Sequence, residues 1–104
     1  MNCSAATSKL SEEEISERLS RLSEWSRGPD FIEKNYEFQN FLRAMLFVNA
    51  VAYVAQSMGH HPDIVIHYNR VTLRNWTHTA GGLTEYDFAL AEKIDALIER
   101  DNSS

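Results

Sequence analysis

The sequence predicts an α+β domain in which helices cover one face of a β-sheet. Three segments carry apolar residues at helical spacing, and others alternate apolar and polar residues as strands do. Single helices separate the strands in a chain of only 104 residues, as expected for a two-layer α+β fold. With 43% hydrophobic residues, the chain suits one compact domain with one core and is too short for two.

The first helix is predicted to begin at Ser11. Glu14 follows three residues later, so the two can form a capping box, and apolar residues then recur at helical spacing as far as Leu22. Residues 1–10 are expected to be flexible, and Cys3 within them is expected to be inert.

A strand and a second helix follow. The SRGP segment, 26–29, is predicted to break the chain, and residues 31–38 alternate as a strand. Asn40 can cap a helix that runs to about Met58. Gly59 is placed to take the left-handed conformation that ends it.

A hairpin and a third helix complete the domain. Residues 64–69 and 71–77 read as two strands joined by a tight turn, which the sequence places at Asn69–Arg70. Thr84 is the expected cap of the last helix, 85–100, which carries an apolar stripe.

The second helix, 41–58, is apolar nearly all round. Arg43 is its only charged side chain, whereas a surface helix of a small domain usually keeps a polar face. The helix is therefore expected either to be sandwiched between the other two helices or to form a subunit interface. The interface is favoured, because exposed apolar area of this kind usually marks association.

Composition limits the class of partner. A net charge of −5 disfavours nucleic acid, whose phosphates need a basic face. No signal peptide is predicted, and Arg43, Asn49 and Gln56 interrupt the longest apolar run, so no membrane association is expected. The single cysteine, Cys3, fits a reducing compartment. A cytoplasmic protein is expected, with a nuclear role left open.

The four histidines all lie in the second half of the chain. His60 and His61 directly follow the predicted helix stop, and Pro62 restricts His61 to extended geometry. Counting outward from the predicted turn pairs position 61 with position 78, so His78 is expected beside the pair at one end of the sheet. His67 has no motif around it and is interpreted as a core residue.

The chemistry that this cluster favours is proton transfer. Three imidazoles could hold zinc, but His60 and His61 are neighbours on an extended segment and should point to opposite sides. The HxH and HExxH motifs are absent, the single cysteine is remote, and no serine lies near the cluster. Imidazole has an unperturbed pKa of about 6.5 and can both give and take a proton at neutral pH. General acid–base catalysis without a metal is therefore predicted.

Four short motifs follow one another in this region: HHPD at 60–63, YNRV at 68–71, TH at 77–78 and GGLTEYDFALA at 81–91. Together with the spacing of aromatic and small residues over 31–55, they resemble the signature of the pterin-4a-carbinolamine dehydratases. The resemblance implies a four-stranded antiparallel sheet with three helices on one face. It also implies assembly as a homodimer or homotetramer, here through helix 41–58.

The resemblance further implies an activity. Such a hydro-lyase removes water from 4a-hydroxytetrahydropterin to give the quinonoid dihydropterin, recycles tetrahydrobiopterin and needs neither a metal nor an organic cofactor. His60, His61 and His78 would be the catalytic set. Because hairpin pairing is expected to bring His61 and His78 closest, they would be the acid–base pair, with His60 binding or orienting the pterin.

Five further positions are expected to bind substrate: Gln56, Pro62, Trp76, Thr77 and Asp87. Asp87 could instead be a cap of the last helix or could orient a histidine, and Thr77 could simply complete its strand. Gln56 stands where many members of the family carry glutamate, and it is expected to hydrogen-bond His60 without supplying charge. Trp76 could supply a stacking surface.

Two other features bear on function. Asn75 falls on a strand face where the family usually has an apolar residue. The apolar helix also leaves a second class of function open, that of a non-catalytic binding or dimerisation cofactor for a protein partner such as a transcription factor. A pure binding protein does not need His60, His61 and His78 together, so the enzyme is favoured.

Overall fold

A computed structural model of the chain describes residues 8–102, with side chains described through residue 98. The expectations for Cys3 and for most of the N-terminal segment lie outside the described residues. The elements in order are α1 (Glu12–Leu19), β1 (Ser26–Arg27), β2 (Ile32–Glu37), α2 (Phe41–Met58), β3 (Asp63–His67), β4 (Arg70–Asn75), a short 3-10 helix (His78–Ala80) and α3 (Glu85–Asn102). The α+β prediction is confirmed.

The four strands form one antiparallel sheet in the order β1-β2-β4-β3. β4 is central, and its Leu73 lies between Lys34 of β2 and Ile64 of β3. Side chains at alternate positions point to opposite faces of a strand. One face of the sheet is therefore packed and the other is open, where Arg70 and Arg74 are exposed.

The helices supply the other half of the core. A single cluster of buried apolar side chains joins the packed face of the sheet to all three helices. Its members are Ile15, Trp25, Ile32, Tyr36, Ala44, Phe47, Val48, Val51, Val71, Leu73, Leu83, Phe88, Leu90, Ala91 and Ile94. The predicted two-layer arrangement is thus present.

The β3–β4 turn differs from the prediction. The strands pair His67 with Arg70, so the two turn residues are Tyr68 and Asn69 rather than Asn69 and Arg70. Asn69 is fixed from outside the hairpin, since its side-chain amide donates to the carbonyl of Phe38 at 2.7 Å and its own carbonyl accepts from Phe38 N at 2.8 Å. Tyr68 takes the left-handed conformation, with φ of 55°.

Two predicted boundaries near the N-terminus are also wrong. The capping box of Ser11 and Glu14 is present, but α1 ends at Leu19 and Leu22 lies in the turn that follows. The segment expected only to break the chain contains β1, which pairs with β2 at the edge of the sheet. A run of two residues, Ser26–Arg27, is too short to show strand alternation.

The helix α2 has the predicted ends: Asn40 accepts a hydrogen bond from Arg43 N, and Gly59 is left-handed with φ of 66°. The sandwiched alternative is wrong for a single chain, because Phe41, Leu42, Leu46 and Tyr53 are 50%, 65%, 56% and 78% exposed. By length and composition alone α2 could cross a membrane, which is weak support for a span because its other face is part of the core.

A polar cluster fastens α3 to the sheet away from the histidines. The Asp95 carboxylate accepts hydrogen bonds from Trp25 Nε1 at 2.9 Å, Lys34 Nζ at 3.0 Å and the Tyr36 hydroxyl at 3.0 Å. Burial, together with the adjacent Asp95 charge, raises the pKa of the Tyr36 phenol well above its ordinary value.

Candidate functional site

The buried part of the site is a hydrogen-bonded contact between His60 and Asp87. The left-handed turn at Gly59 directs the next residue inward, and His60 is only 1% exposed. Its Nε2 lies 2.6 Å from Oδ1 of Asp87, which is fully buried. Asp87 belongs to the first turn of α3, so this contact joins the connection after α2 to the start of α3.

The second oxygen of Asp87 is held by two threonines. Its Oδ2 accepts from the hydroxyl of Thr77 and from the backbone N–H of Thr84, both at 2.8 Å. The bond to Thr84 N completes the capping geometry of α3. The same carboxylate therefore caps α3 and contacts a histidine, so the two alternatives considered for Asp87 do not exclude each other.

The exposed part of the site begins with His61. Its ring faces the opposite side from His60, as the extended geometry predicts, and its Nε2 lies 3.0 Å from Oε1 of Gln56. The expected bond from Gln56 to His60 is wrong. The chain reversal at Gly59 places the second histidine, rather than the first, above the last turn of α2.

His78 lies against Trp76. The two ring centroids are 3.9 Å apart with an interplanar angle of 35°, and the indole Nε1 donates to Oδ2 of Asp63 at 3.2 Å. His78 is the first residue of the 3-10 helix, and it is exposed. Trp76 is half-buried and has one ring face covered by an imidazole.

The hairpin register relates the two exposed histidines less directly than predicted. Asp63 pairs with Arg74, and continuing that register would place His61 opposite Trp76 instead of opposite His78. A shift of two residues keeps the same face, because side chains alternate with a period of two. His61 and His78 are therefore joined through Asp63 and Trp76, which connect the segment after His61 to the segment before His78.

The structure brings most of the predicted site residues to one end of the sheet, in two groups. His61 is exposed and contacts Gln56, His78 is exposed and contacts the half-buried Trp76, and Pro62 is half-buried directly after His61. His60, Thr77 and Asp87 are buried, and the Asp87 carboxylate contacts both of the other two. Thr77 and Asp87 can therefore affect ligand binding only indirectly. Asp87 contacts His60, and Thr77 directly follows Trp76 in the sequence.

Two contributors were not predicted as site residues. Asp63 holds Trp76, and the Thr84 hydroxyl lies 2.8 Å from the Thr77 hydroxyl. The sequence signal for Asp63 was its place in HHPD, directly after the histidine pair. Thr84 was interpreted only as a helix cap, and no sequence pattern indicated its contact with Thr77.

Asn75 lies beside the buried group. Its side-chain amide nitrogen donates to the backbone carbonyl of Asp87 at 3.1 Å, and its own Oδ1 is buried with no hydrogen-bond partner among the described residues. A buried acceptor without a partner costs about 1–3 kcal/mol. The sequence predicted the face of Asn75 but not this cost.

The interpretation of His67 as a core residue is wrong, because His67 is exposed at the end of β3 on the open face of the sheet. Separately, a cavity of about 640 Å³ lies between α1 and α3, lined by charged residues such as Arg18 and Glu85. None of the four histidines lines it, so the chemistry that the imidazoles offer lies elsewhere.

No group of three or more His, Cys, Asp or Glu side chains within residues 8–98 is arranged to hold a metal ion.

Comparison with known proteins identifies the family. The sequence model of the Pterin 4 alpha carbinolamine dehydratase family matches residues 8–97, most of the chain. The chain belongs to this family. Proteins given that name provisionally include one from Acidobacterium capsulatum, 53% identical over 86% of this chain and 98% of its own length. Another, from Sulfurisphaera tokodaii, is 47% identical over 86% of this chain and 97% of its own length.

Solved structures of the family share the fold. A transcriptional coactivator/pterin dehydratase from Brucella melitensis superposes with a TM-score of 0.82 at 33% identity, covering 85% of this chain and 96% of that one. A pterin dehydratase-like protein described as a RuBisCO assembly factor in the alpha-carboxysome gives a TM-score of 0.58 at 26% identity, covering 70% and 84%. Relatives of this fold thus include proteins described by enzymatic and by assembly roles.

Proposed function

We propose that the chain is a 4a-hydroxytetrahydrobiopterin dehydratase of the hydro-lyase class. Its substrate is 4a-hydroxytetrahydropterin, its product is the quinonoid dihydropterin, and its role is recycling of tetrahydrobiopterin in the cytoplasm. Membership of the family supports this assignment. The observation that best supports it is that two exposed imidazoles, His61 and His78, lie on the two segments that the Asp63–Trp76 hydrogen bond joins, while His60 is buried against Asp87.

The reaction breaks the bond between ring carbon C4a and its hydroxyl oxygen. An acid must donate a proton to the departing oxygen, since hydroxide is a poor leaving group. The lone pair of the adjacent ring nitrogen forms the new double bond, and a base accepts the proton from that nitrogen. One proton enters and one leaves, so a water molecule and a neutral product are released.

The two exposed histidines can supply both proton transfers. In the proposal, one of His61 and His78 is protonated when the substrate binds and the other is neutral, and each transfer contributes about 10²–10⁴-fold. His61 is positioned by Gln56 and His78 by the Trp76 ring. His60 is too deeply buried to be the principal contact surface, so it orients the pterin-binding segment through Asp87.

Substrate decay tests the proposal directly. 4a-Hydroxytetrahydropterin is generated in situ and its loss is followed by ultraviolet absorbance with the natural protein, His61→Ala, His78→Ala and the double variant. The natural protein should accelerate the decay, and each single variant should lose at least about tenfold. His67→Ala is the matched control, because it removes an exposed imidazole from another part of the sheet. Equal rates for the natural protein and the double variant would refute the proposal.

A second function is supported by the exposed face of α2. An apolar surface is left uncovered in one chain by four exposed side chains of α2, and exposed apolar patches commonly mark association. They are Phe41, Leu42, Leu46 and Tyr53. We propose that α2 joins two or four copies of the chain. The alternative is a protein partner on the same surface, in which case the chain serves as a non-catalytic binding or dimerisation cofactor.

Sedimentation of the purified chain separates these possibilities. A homodimer or homotetramer that Leu42→Glu converts to a monomer supports self-association through α2. Ser16→Glu adds the same charge at an exposed position of α1 and should leave the assembly intact. A monomeric natural protein without dehydratase activity would favour the binding function instead.

A further inference from the structure

Asp87 receives three hydrogen bonds, and two of them depend on Thr84. His60 Nε2 approaches Oδ1, whereas Oδ2 accepts from the Thr77 hydroxyl and from the Thr84 amide. All four residues are at most 1% exposed, so water does not compete for these contacts. The carboxylate is held at both oxygens by groups of fixed position.

The direction of the hydroxyl bonds follows from donor and acceptor counting. An ionised carboxylate can only accept, so the single proton of the Thr77 hydroxyl is directed to Asp87. The 2.8 Å contact between the two hydroxyl oxygens must then be donated by Thr84. The Thr84 oxygen itself accepts from Tyr86 N at 3.2 Å. The bonds run one way: Tyr86 N–H to Thr84, Thr84 to Thr77, and Thr77 to Asp87.

A one-way chain of hydrogen bonds has a physical consequence at its end. Each bond polarises the next in a buried environment, and the last one fixes the rotation of the Asp87 carboxylate. Oδ1 then stays aligned with His60 Nε2. With Asp87 ionised, the proton of that bond belongs to Nε2. The chain of hydrogen bonds thus selects the tautomer of His60 that is protonated at Nε2.

We propose that Thr84 is a positioning residue that acts through Thr77 and Asp87 to hold His60 in a single orientation and tautomer. The role is distinct from capping α3. A cap needs only a side-chain oxygen that accepts from Tyr86 N, whereas the relay also needs a hydroxyl proton directed to Thr77. The effect on catalysis rests on the proposed dehydratase function, but the effect on the His60 ring does not.

Nitrogen-15 NMR of the histidine rings tests the relay without reference to activity. In the natural protein, His60 should show one tautomer protonated at Nε2 and a downfield proton resonance for the bond to Asp87. Thr84→Val removes the hydroxyl at nearly constant shape and should move that resonance upfield and mix the tautomers. Thr84→Ser keeps the hydroxyl and should restore the natural spectrum.

Ser11→Ala is the matched control, because it removes a capping hydroxyl from the start of α1. It should lower stability as Thr84→Val does and leave the His60 ring unchanged. A Thr84→Val protein that is less stable but has the natural His60 spectrum would overturn the proposal and reduce Thr84 to a cap. Where Thr84→Val does not fold, the natural protein still decides: slowly exchanging hydroxyl protons on both threonines are required, and rapid exchange of either contradicts the relay.

Kinetics separate this proposal from the dehydratase assignment. If the assignment is correct, Thr84→Val should lower kcat on the order of tenfold, as expected when a catalytic group is misplaced, and Thr84→Ser should recover it. If the natural protein has no dehydratase activity but the His60 spectrum responds to Thr84 as described, the relay stands and the assigned reaction fails.

Discussion

The imidazole of His60 and the carboxylate of Asp87 form a 2.6 Å hydrogen bond in a place that water does not reach. A buried bond between an acidic and a basic group is expensive to break on one side, because the remaining group has no replacement partner. Its two residues come from the start of the α2–β3 connection, directly after Gly59, and from the first turn of α3. The bond therefore links the integrity of the fold to the geometry of the candidate site.

Asp87→Asn should lower both stability and activity. An amide has one oxygen that accepts and one nitrogen that only donates, so the nitrogen must face either the Thr84 N–H or His60 Nε2. In the first orientation the amide N–H groups oppose the Thr84 N–H. In the second orientation His60 Nε2 must accept a hydrogen bond, which forces the tautomer protonated at Nδ1. We expect a loss of about 2–4 kcal/mol in the free energy of unfolding, measured in urea, and at least a tenfold lower dehydratase rate.

Asp95→Asn provides the control for that experiment. Asp95 is a partly buried carboxylate with three donors, but its partners Trp25, Lys34 and Tyr36 are not among those of Asp87. It should lose stability while its rate stays within about twofold of the natural protein. If Asp87→Asn also kept the natural rate, the His60–Asp87 bond would have no part in catalysis.

Gln56→Glu should change the pH dependence of the reaction. Gln56 Oε1 lies 3.0 Å from His61 Nε2, and a carboxylate there would favour the protonated imidazole. The high-pH limit of kcat should move upward by up to about one pH unit if His61 is the acid. Gln39→Glu adds the same charge at an exposed position before α2 and should leave the profile unchanged. If the low-pH limit of kcat moves upward instead, His61 is the base. An unchanged profile would exclude both roles for His61.

Asn75→Val should stabilise the protein. The substitution removes a buried oxygen that lacks a partner, which costs about 1–3 kcal/mol, and it sacrifices one hydrogen bond worth about 1 kcal/mol. Chemical unfolding should show a gain of up to about 2 kcal/mol. Asn35→Val, on the open face of β2, should change stability by less than about 0.5 kcal/mol. A destabilised Asn75→Val protein would mean that a buried water satisfies Oδ1.

The raised pKa of the Tyr36 phenol should make the folded protein less stable in alkali. Burial and the Asp95 charge raise the pKa of its phenol in the folded protein, whereas the unfolded chain ionises near the ordinary value of 10.0. The contribution of Tyr36 is therefore constant below about pH 10 and decreases above it. Tyr36→Phe should flatten the alkaline decline measured by thermal unfolding at pH 9 to 11, at a cost of about 1 kcal/mol at neutral pH.

Tyr68→Phe controls for the loss of a phenolic hydroxyl, because the Tyr68 ring is exposed at the hairpin turn. It should retain the alkaline decline of the natural protein. An equal decline in Tyr36→Phe would show that another group governs stability at high pH.

Local sequence signals predicted the helices well and the hairpin less well. Ser11, Asn40 and Gly59 act through neighbours only a few residues away, so their roles can be read from the chain. The turn position depends on Asn69 reaching Phe38, a contact 31 residues distant in sequence. No local pattern contains that contact, and the predicted turn was therefore displaced by one residue.

The candidate site shows the same division. Opposite directions for His60 and His61 follow from extended geometry and were predicted. The partner of each ring was not, because Asp87 and Gln56 reach the histidines from different helices. The exposure of His67 was missed for a related reason: alternation assigns residues to two faces but does not say which face the helices cover.

The left-handed turn at Gly59 determines which of the next two side chains, His60 or His61, points into the protein. Because consecutive residues of extended chain alternate sides, inserting or deleting one residue between Gly59 and Asp63 would exchange the interior and exterior imidazoles. Asp87 would then face the imidazole that is exposed to solvent in the natural protein. The length of this short connection is thus as constrained as its composition. Natural length variation in functional relatives should fall elsewhere, such as in the turn after α1.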